Sequence, residues 1–222
     1  MNHHIDFFMA SFDKSNIESI IFDMDGTLWD ATHSYVKIWD RCFEKMGYQL
    51  TVPHQELVKC MGMPIEQIYE VLVAKQCPKM DKTAYLSLLQ QLEDEMMPEI
   101  GGILYPEVLD GLDRLAKSRK LFMVSNCGAL GLRNFMRYTR TEKYFTDSVT
   151  FGQRPVPKSE NMRWLMNKHG INKAAYMGDT QGDCDETHRA GLPFIFASYG
   201  FGKCTDAEIS FNSFGEFVDY FD

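Results

Sequence analysis

No apolar run in this chain of 222 residues approaches the roughly 20 residues that a membrane-spanning helix needs. Basic residues are in the minority: 23 Lys and Arg stand against 31 Asp and Glu, a formal net charge of −8. That balance argues against nucleic acid as a main partner, since phosphate-backbone recognition wants a basic face. It leaves a small anionic substrate open, because a site can be locally positive or hold a metal ion. The six cysteines (Cys42, Cys60, Cys77, Cys127, Cys184 and Cys204) include no CxxC pair and no metal-ligand spacing, so they read as reduced, packed thiols. The opening "MNHHIDFFMASFDKSN" lacks the basic start and apolar core of a signal peptide. Repeats and low-complexity tracts are missing too. These absences describe a soluble, cytoplasmic protein with neither a membrane nor a nucleic-acid partner. They leave its oligomeric state unknown.

What is present is an ordinary globular composition, 45% hydrophobic and 24% charged, enough to build a core without disulfide or metal staples. Ser19 to Asp23 is a short apolar run of strand character. From about Thr32 the pattern turns helical. Tyr35, Ile38, Trp39, Cys42, Phe43 and Met46 share one face, Pro64 opens a second helix, and Asp81 caps a third with a stripe through Tyr85, Leu88, Leu89, Leu92 and Met96. These stripes read as the core of a small bundle. After Leu104 strands and helices alternate, with Ser159 as the expected cap of a helix that closes at His169 and Gly170. Such alternation implies a mostly parallel sheet with helices on both faces. The expected division is an α/β, Rossmann-like doubly wound core from 1–31 and 105–222, with an inserted α-helical cap over 32–104. The linkers near Trp29 to Thr32 and Gly101 to Pro106 are candidate hinges.

Three strand candidates, "IIFD", "FMVSN" and "AYMGD", end in polar residues at the carboxyl edge, where open α/β sheets bind ligands. Asp23 and Asp25 sit on such a strand end and the turn after it. Gly26 permits a tight backbone there, and Thr27 can donate to an anion. Two carboxylates so close are tolerable if a divalent cation neutralises them or one stays protonated. Both conditions suit one reaction, in which an ionised carboxylate attacks phosphorus and its neighbour moves the proton. An EF-hand reading fails on spacing, since further oxygen ligands and a closing Glu are missing. A solvated turn remains open for "DMDG" alone. In "GDTQGDCDE", Asp179 is a natural further metal ligand, Asp183 can orient it, and Asp185 and Glu186 read as acids enriching a helix N-terminus. "VSN" offers the Ser125 hydroxyl and Asn126 amide to phosphate oxygens. A lysine should complete the charge balance, and "QRPVPKSENM" holds one.

In that order, "DMDGTL", "VSN", the lysine segment and "GDTQGD" resemble the four motifs of the haloacid dehalogenase (HAD) superfamily, over nearly the whole chain. The helical block stands where that family's inserted cap stands, and "GDTQGD…AGLPFIFASYGFG" is most similar to its phosphoglycolate phosphatase-like branch. The resemblance implies a Mg²⁺ ion, an aspartyl-phosphate intermediate and a small phosphorylated metabolite as substrate. It makes Asp23 the nucleophile and a metal ligand. Asp25 becomes the general acid/base whose backbone carbonyl also touches the metal. Asp179 is the further metal ligand, and Gly26, Thr27, Ser125, Asn126 and a lysine surround the phosphoryl group.

Asp25 stands where the dehalogenase branch lacks an acid, which favours phosphoryl transfer over carbon–halogen cleavage. Gly178, where mutase relatives tend to carry an acid, favours a hydrolase over a β-phosphoglucomutase-type phosphomutase. That mutase and a non-catalytic phosphate-binding regulatory module stay as alternatives. The lysine segment departs from the usual "KPxP" by placing Arg154 there, so Lys158 is the favoured cation and Arg154 the alternative. "KCMGMP" (Lys59 to Pro64) is a candidate loop for reading the leaving group. Cys127 reads as packing. His3 and His4 fall in a tail, and His33, His54 and His188 show no ligand spacing.

Overall fold

The computed structural model describes residues 13–222; His3, His4 and most of the N-terminal stretch considered above lie outside the described residues. Along the chain run β1 (Ser19–Phe22), β2 (Trp29–Asp30), α1 (Thr32–Lys45), α2 (His54–Val58), α3 (Ile65–Tyr69), α4 (Lys82–Ile100), β3 (Ile103–Leu104) and α5 (Val108–Leu115). The second half adds β4 (Lys120–Ser125), α6 (Gly131–Thr139), β5 (Phe145–Thr150), α7 (Lys158–His169), β6 (Ala174–Gly178), α8 (Gln181–Ala190), β7 (Phe194–Ala197), β8 (Ile209–Phe211) and α9 (Phe214–Phe221).

The main sheet has six strands in the order β5-β4-β1-β6-β7-β8, all parallel. Strand alternation sends neighbouring residues to opposite faces, and here it feeds two separate cores. Ile20, Phe22, Leu121, Met123, Ala175 and Met177 join the layer containing Leu112, Phe214 and Phe217. Ile21, Phe122, Val124, Ala174 and Tyr176 join the layer containing Met162, Leu165 and Cys184. Burial on both faces explains why β1 is continuously apolar. The fold is α/β, with the parallel sheet covered by helices on both sides.

This order puts the topological switch at β1. The chain moves outward through β4 and β5 on one side, then through β6, β7 and β8 on the other. Phe22 pairs in register with Met123 and Met177, so the three strands end within two residues of one another, β4 running furthest. Asp23 follows directly, beside the ends of β4 at Ser125 and β6 at Gly178. The crevice that such a switch opens is where the candidate acids gather.

Between β1 and β4 the chain leaves the main sheet. Helices α1, α2, α3 and α4 pack on one another, and α4 also rests on α6. The two linkers expected as hinges pair as a short antiparallel ribbon, Trp29 opposite Leu104 and Asp30 opposite Ile103. The Asp81 carboxylate accepts from the Ala84 amide, capping α4 as expected. Its buried side is Tyr85, Leu89, Leu92 and Met97, so the stripe ends one residue later than Met96.

Two capping expectations need correction. Helix α7 begins at Lys158 after Pro157, and Ser159 does not cap it; the Ser159 amide instead donates to Glu186 Oε2 at 2.9 Å. The acid in the first turn of α8 is Asp183, in a reciprocal capping box with Thr180. Asp185 lies a turn further on and accepts from Gln181.

Candidate active site

Asp23, Asp179 and Asp183 are almost fully buried, and each offers an oxygen within 4.8 Å of the others. They come from three places: the end of β1, the end of β6 and the first turn of α8. The backbone builds this closeness. The Asp23 amide donates to the Met177 carbonyl at 2.8 Å, tying the two strand ends together. Asp183 Oδ2 accepts from the Thr180 hydroxyl at 2.7 Å and from the Thr180 and Asp179 amides at 3.2 and 3.3 Å. The Phe201 amide donates to Asp179 Oδ2 at 2.8 Å.

Lys158 reaches in from the start of α7. Its Nζ donates to Asp183 Oδ1 at 2.5 Å and to Asp23 Oδ1 at 3.1 Å, and it lies 5.5 Å from the centre of the Tyr176 ring. Arg154 faces elsewhere, bonded to Asn161 Oδ1 at 3.1 Å and stacked over Trp164 at 4.7 Å. Of the two cations, Lys158 is the one at the acids.

Burial is the largest influence on these groups. It pushes Asp23 up to about 6 against the pull of Lys158, with Asp183 adding to the rise. Asp179 is held well above the usual carboxylate range by burial, then by Asp183 and Asp23. For Lys158 burial works against the ammonium, but Asp183 and Asp23 overcome it and raise its pKa well above the ordinary value. Three carboxylates and one ammonium form a buried group short of positive charge. An oxygen-rich donor set of this kind suits a hard divalent cation such as Mg²⁺.

Asp25 lies apart from this cluster, at the end of a cavity. The Trp29 indole donates to its Oδ1 at 2.9 Å, and the Tyr35 hydroxyl to its Oδ2 at 3.1 Å. Burial, then the charge of Asp23, push its pKa well above the usual range despite those two donors. Both influences favour its neutral form. The sequence reading missed Trp29 and Tyr35 as partners. The available signal was an aromatic donor four residues after Asp25 and a Tyr on the first helix beyond it.

The remaining candidates surround these groups. Ser125 is buried at the end of β4. The Asn126 amide donates to the Gly62 carbonyl at 2.9 Å, joining the β4 end to the Lys59 to Pro64 loop. Thr27 is fully buried; its hydroxyl has no partner among the described residues, while its carbonyl accepts from Tyr199. Cys127 is partly buried, and burial raises its thiol far above the thiolate range, so it is no nucleophile.

Gly26 takes φ +80°, and a Cβ there would lie 2.1 Å from Asp179 Oδ2. Gly200 closes the other side, where a Cβ would lie 2.3 Å from the Asp179 Cβ. The Gly26→Ala variant is expected to combine left-handed strain with displacement of Asp179. It should lose about 1–3 kcal/mol of stability, read by urea denaturation, together with the thermal stabilisation by Mg²⁺ described below. Unchanged stability and an unchanged Mg²⁺ response would show that the close approach does not matter.

A cavity of about 100 Å³ runs from Asp25 into the helical segment, between α1, α3, α4 and the loop at Asn126 to Gly128. Met61 of the "KCMGMP" loop lines it, whereas Met63 is exposed outside it.

A parallel switch-point sheet, a rim of strand-terminal acids and a helical insertion after β1 together define a doubly wound α/β protein with its site at the topological switch. The sequence profile of the haloacid dehalogenase-like hydrolases matches residues 20–197, and the chain belongs to that family. Among curated proteins it is similar to a phosphoglycolate phosphatase of Aliivibrio fischeri, 24% identical over 196 residues, covering 84% of this chain and 86% of that one. Among solved structures it resembles a haloacid dehalogenase-like hydrolase from Streptococcus pneumoniae with a TM-score of 0.79 at 18% identity, over 94% of this chain and 100% of that one. A predicted phosphoglycolate phosphatase from Haemophilus somnus gives the same TM-score and identity over 93% and 99%. At such identities the structural likeness speaks for the fold.

Proposed function

We propose that the protein is a Mg²⁺-dependent phosphatase that hydrolyses a small phosphomonoester through an aspartyl-phosphate on Asp23. The observation that carries this reading is the division of labour between two neighbouring acids. Asp23 lies beside Lys158 and the other carboxylates, while Asp25 is held apart, hydrogen-bonded to Trp29 and Tyr35, where burial and the charge of Asp23 favour its neutral form.

Asp23 attacks phosphorus, and Asp25 gives its proton to the departing alcohol oxygen. With Asp25 now ionised, water enters, yields its proton to Asp25 and takes the phosphoryl group from Asp23. The Lys158 ammonium and the polar groups of Ser125 and Asn126 stabilise the charged phosphoryl oxygens. Gly26 and Thr27 belong to the turn that sets Asp25 beside them. Asp23, Asp179 and the Asp25 carbonyl would hold Mg²⁺, with Asp183 fixing the Asp179 and Thr180 backbone and Lys158. The ion supplies charge neutralisation at the phosphoryl oxygens. Residues 32–104 act as the cap over residues 1–31 and 105–222, closing on substrate and excluding water until the alcohol leaves.

The six cysteines are unpaired, and no helix among the described residues is long and apolar enough to cross a membrane. Both observations support a cytoplasmic enzyme acting on a soluble metabolite.

Phosphate release from a panel of phosphomonoesters, with Mg²⁺ and with EDTA, tests the activity. Release that ignores EDTA, or a rearranged phosphate ester in place of free phosphate, would overturn it. Metal binding has its own readout. Carboxylates whose folded pKa values are raised contribute stability that is present below their unfolded values and is lost as pH rises through the folded ones, about 6 for Asp23. The metal-free protein should therefore lose stability between about pH 4 and pH 7, and Mg²⁺ should raise the Tm more at about pH 7.5 than at pH 5. An equal shift at both pH values would place the ion elsewhere.

A further inference from the structure

We infer that the cavity beside Asp25 holds the leaving group, and that it selects a compact, apolar alcohol carrying no negative charge. This rests on the phosphatase reading above. The cavity is continuous with Asp25, the group that would protonate the departing oxygen. Trp39, Leu57, Ile65, Ile68 and Leu89 bring apolar surface to its walls from α1, α2, α3 and α4, and its uncharged polar side chains are those of Tyr35, Gln90 and Asn126.

No Lys, Arg or His lines this cavity among the described residues. A carboxylate or second phosphate on the leaving group would thus lose its water and meet no counter-charge. A second acid lines the cavity instead, Glu93 of α4, with no hydrogen-bond or ion-pair partner among the described residues. Although part of the residue is accessible, burial, then Asp94, push its carboxyl up to about 8. An anion in the cavity would face Glu93 in place of a cation, and would be repelled by it once pH rises past about 8 and the carboxyl ionises. A neutral alkyl group incurs neither cost and gains contact with the walls.

The size also bounds the ligand. At about 100 Å³ the cavity is smaller than the roughly 150 Å³ that admits benzene in an engineered apolar core. A short branched alkyl group suits it better than an aromatic ring. The substrate class is therefore a small alkyl phosphate. A two-carbon carboxylate ester such as phosphoglycolate, the substrate in the name of the Aliivibrio fischeri relative, would be a poor one.

Two non-hydrolysable analogues separate this inference from the phosphatase reading. Isopentylphosphonate mimics isobutyl phosphate, and 3-phosphonopropionate mimics phosphoglycolate. With Mg²⁺ present, calorimetry of the full chain should show the isopentyl compound binding at least about tenfold more tightly, and phosphate release should favour isobutyl phosphate by a similar factor. At about pH 9, where Glu93 is ionised, Glu93→Gln should narrow the preference by several-fold through better use of the carboxylate ligands. In Leu89→Lys the preference should narrow further or reverse. Tighter binding of 3-phosphonopropionate by the unaltered protein would overturn the inference. So would a preference that Glu93→Gln and Leu89→Lys, both folded by circular dichroism, leave unmoved. Preference for the isopentyl ligand with no phosphate release from either ester would uphold the cavity's selectivity and sink the phosphatase reading.

Discussion

Replacing Asp23 with asparagine is expected to lower phosphate release by a factor on the order of 10⁵ to 10⁶, the scale on which removing a covalent nucleophile acts. The amide keeps the shape of the carboxylate but cannot displace an alcohol from phosphorus. The loss should not come from unfolding. Asp23 is buried, and its pKa is raised to about 6, so its ionised form at neutral pH works against the folded state. A neutral amide removes that cost, and without metal the variant should be as stable as the unaltered protein or more so. Activity and thermal stability measured together separate the two outcomes. Residual activity within about tenfold of the original would remove Asp23 from the mechanism.

Lys158→Met should damage both properties. The ammonium is buried and bridges Asp23 and Asp183, each of them buried as well. Removing it leaves carboxylates facing one another with no cation, and breaking a buried pair in this way costs about 3–5 kcal/mol. The folded pKa of Lys158 is raised, so its contribution is fully present below the ordinary lysine value and is lost only as pH rises through the folded one. Across neutral pH the lysine's part of the deficit is therefore constant. The deficit should still shrink toward about pH 5, where Asp23 takes up a proton. Phosphate release should fall by about 10²- to 10³-fold, the usual effect of removing one donor to transition-state charge. Lys158→Arg should not rescue it, because a planar fork cannot replace a point charge set between two acids and the Tyr176 ring. Urea melts at two pH values test the stability argument, and a deficit below about 1 kcal/mol would contradict it.

The strand ends were readable because chemistry and burial meet there. Ile20 to Phe22 can only be a buried strand, so the acids after it must lie at the sheet's edge. Lys158 was legible by its position at the start of a helix, although the sequence alone left Arg154 as a rival. The packing of Arg154 on Trp164 depends on a turn that the pattern does not reveal. The β2–β3 ribbon was not legible, since two-residue strands carry no period and their pairing joins distant parts of the chain. Glu186 holding the Ser159 amide is a contact between two helices, and no local capping rule points to it.

Glu93 is the instructive omission. Tyr85, Leu89 and Met97 are buried on one side of α4 at steps of four, and Glu93 falls in the same series. An acid on an apolar stripe was the available signal. Trp29 and Tyr35 escaped notice for the opposite reason. Their rings belong to apolar patterns, and only their polar tips reach Asp25.

The most direct test of the central claim is to catch the acyl phosphate on Asp23. The protein would be quenched in acid during turnover of isobutyl phosphate, treated with borohydride, and digested for peptide mass spectrometry. Asp23→Asn would be run in parallel as the control. An aspartyl-phosphate reduces to homoserine, so the account predicts homoserine at position 23 of the unaltered protein, missing without substrate and in Asp23→Asn. Reduction at another residue, or steady phosphate release with Asp23 unmodified, would contradict it.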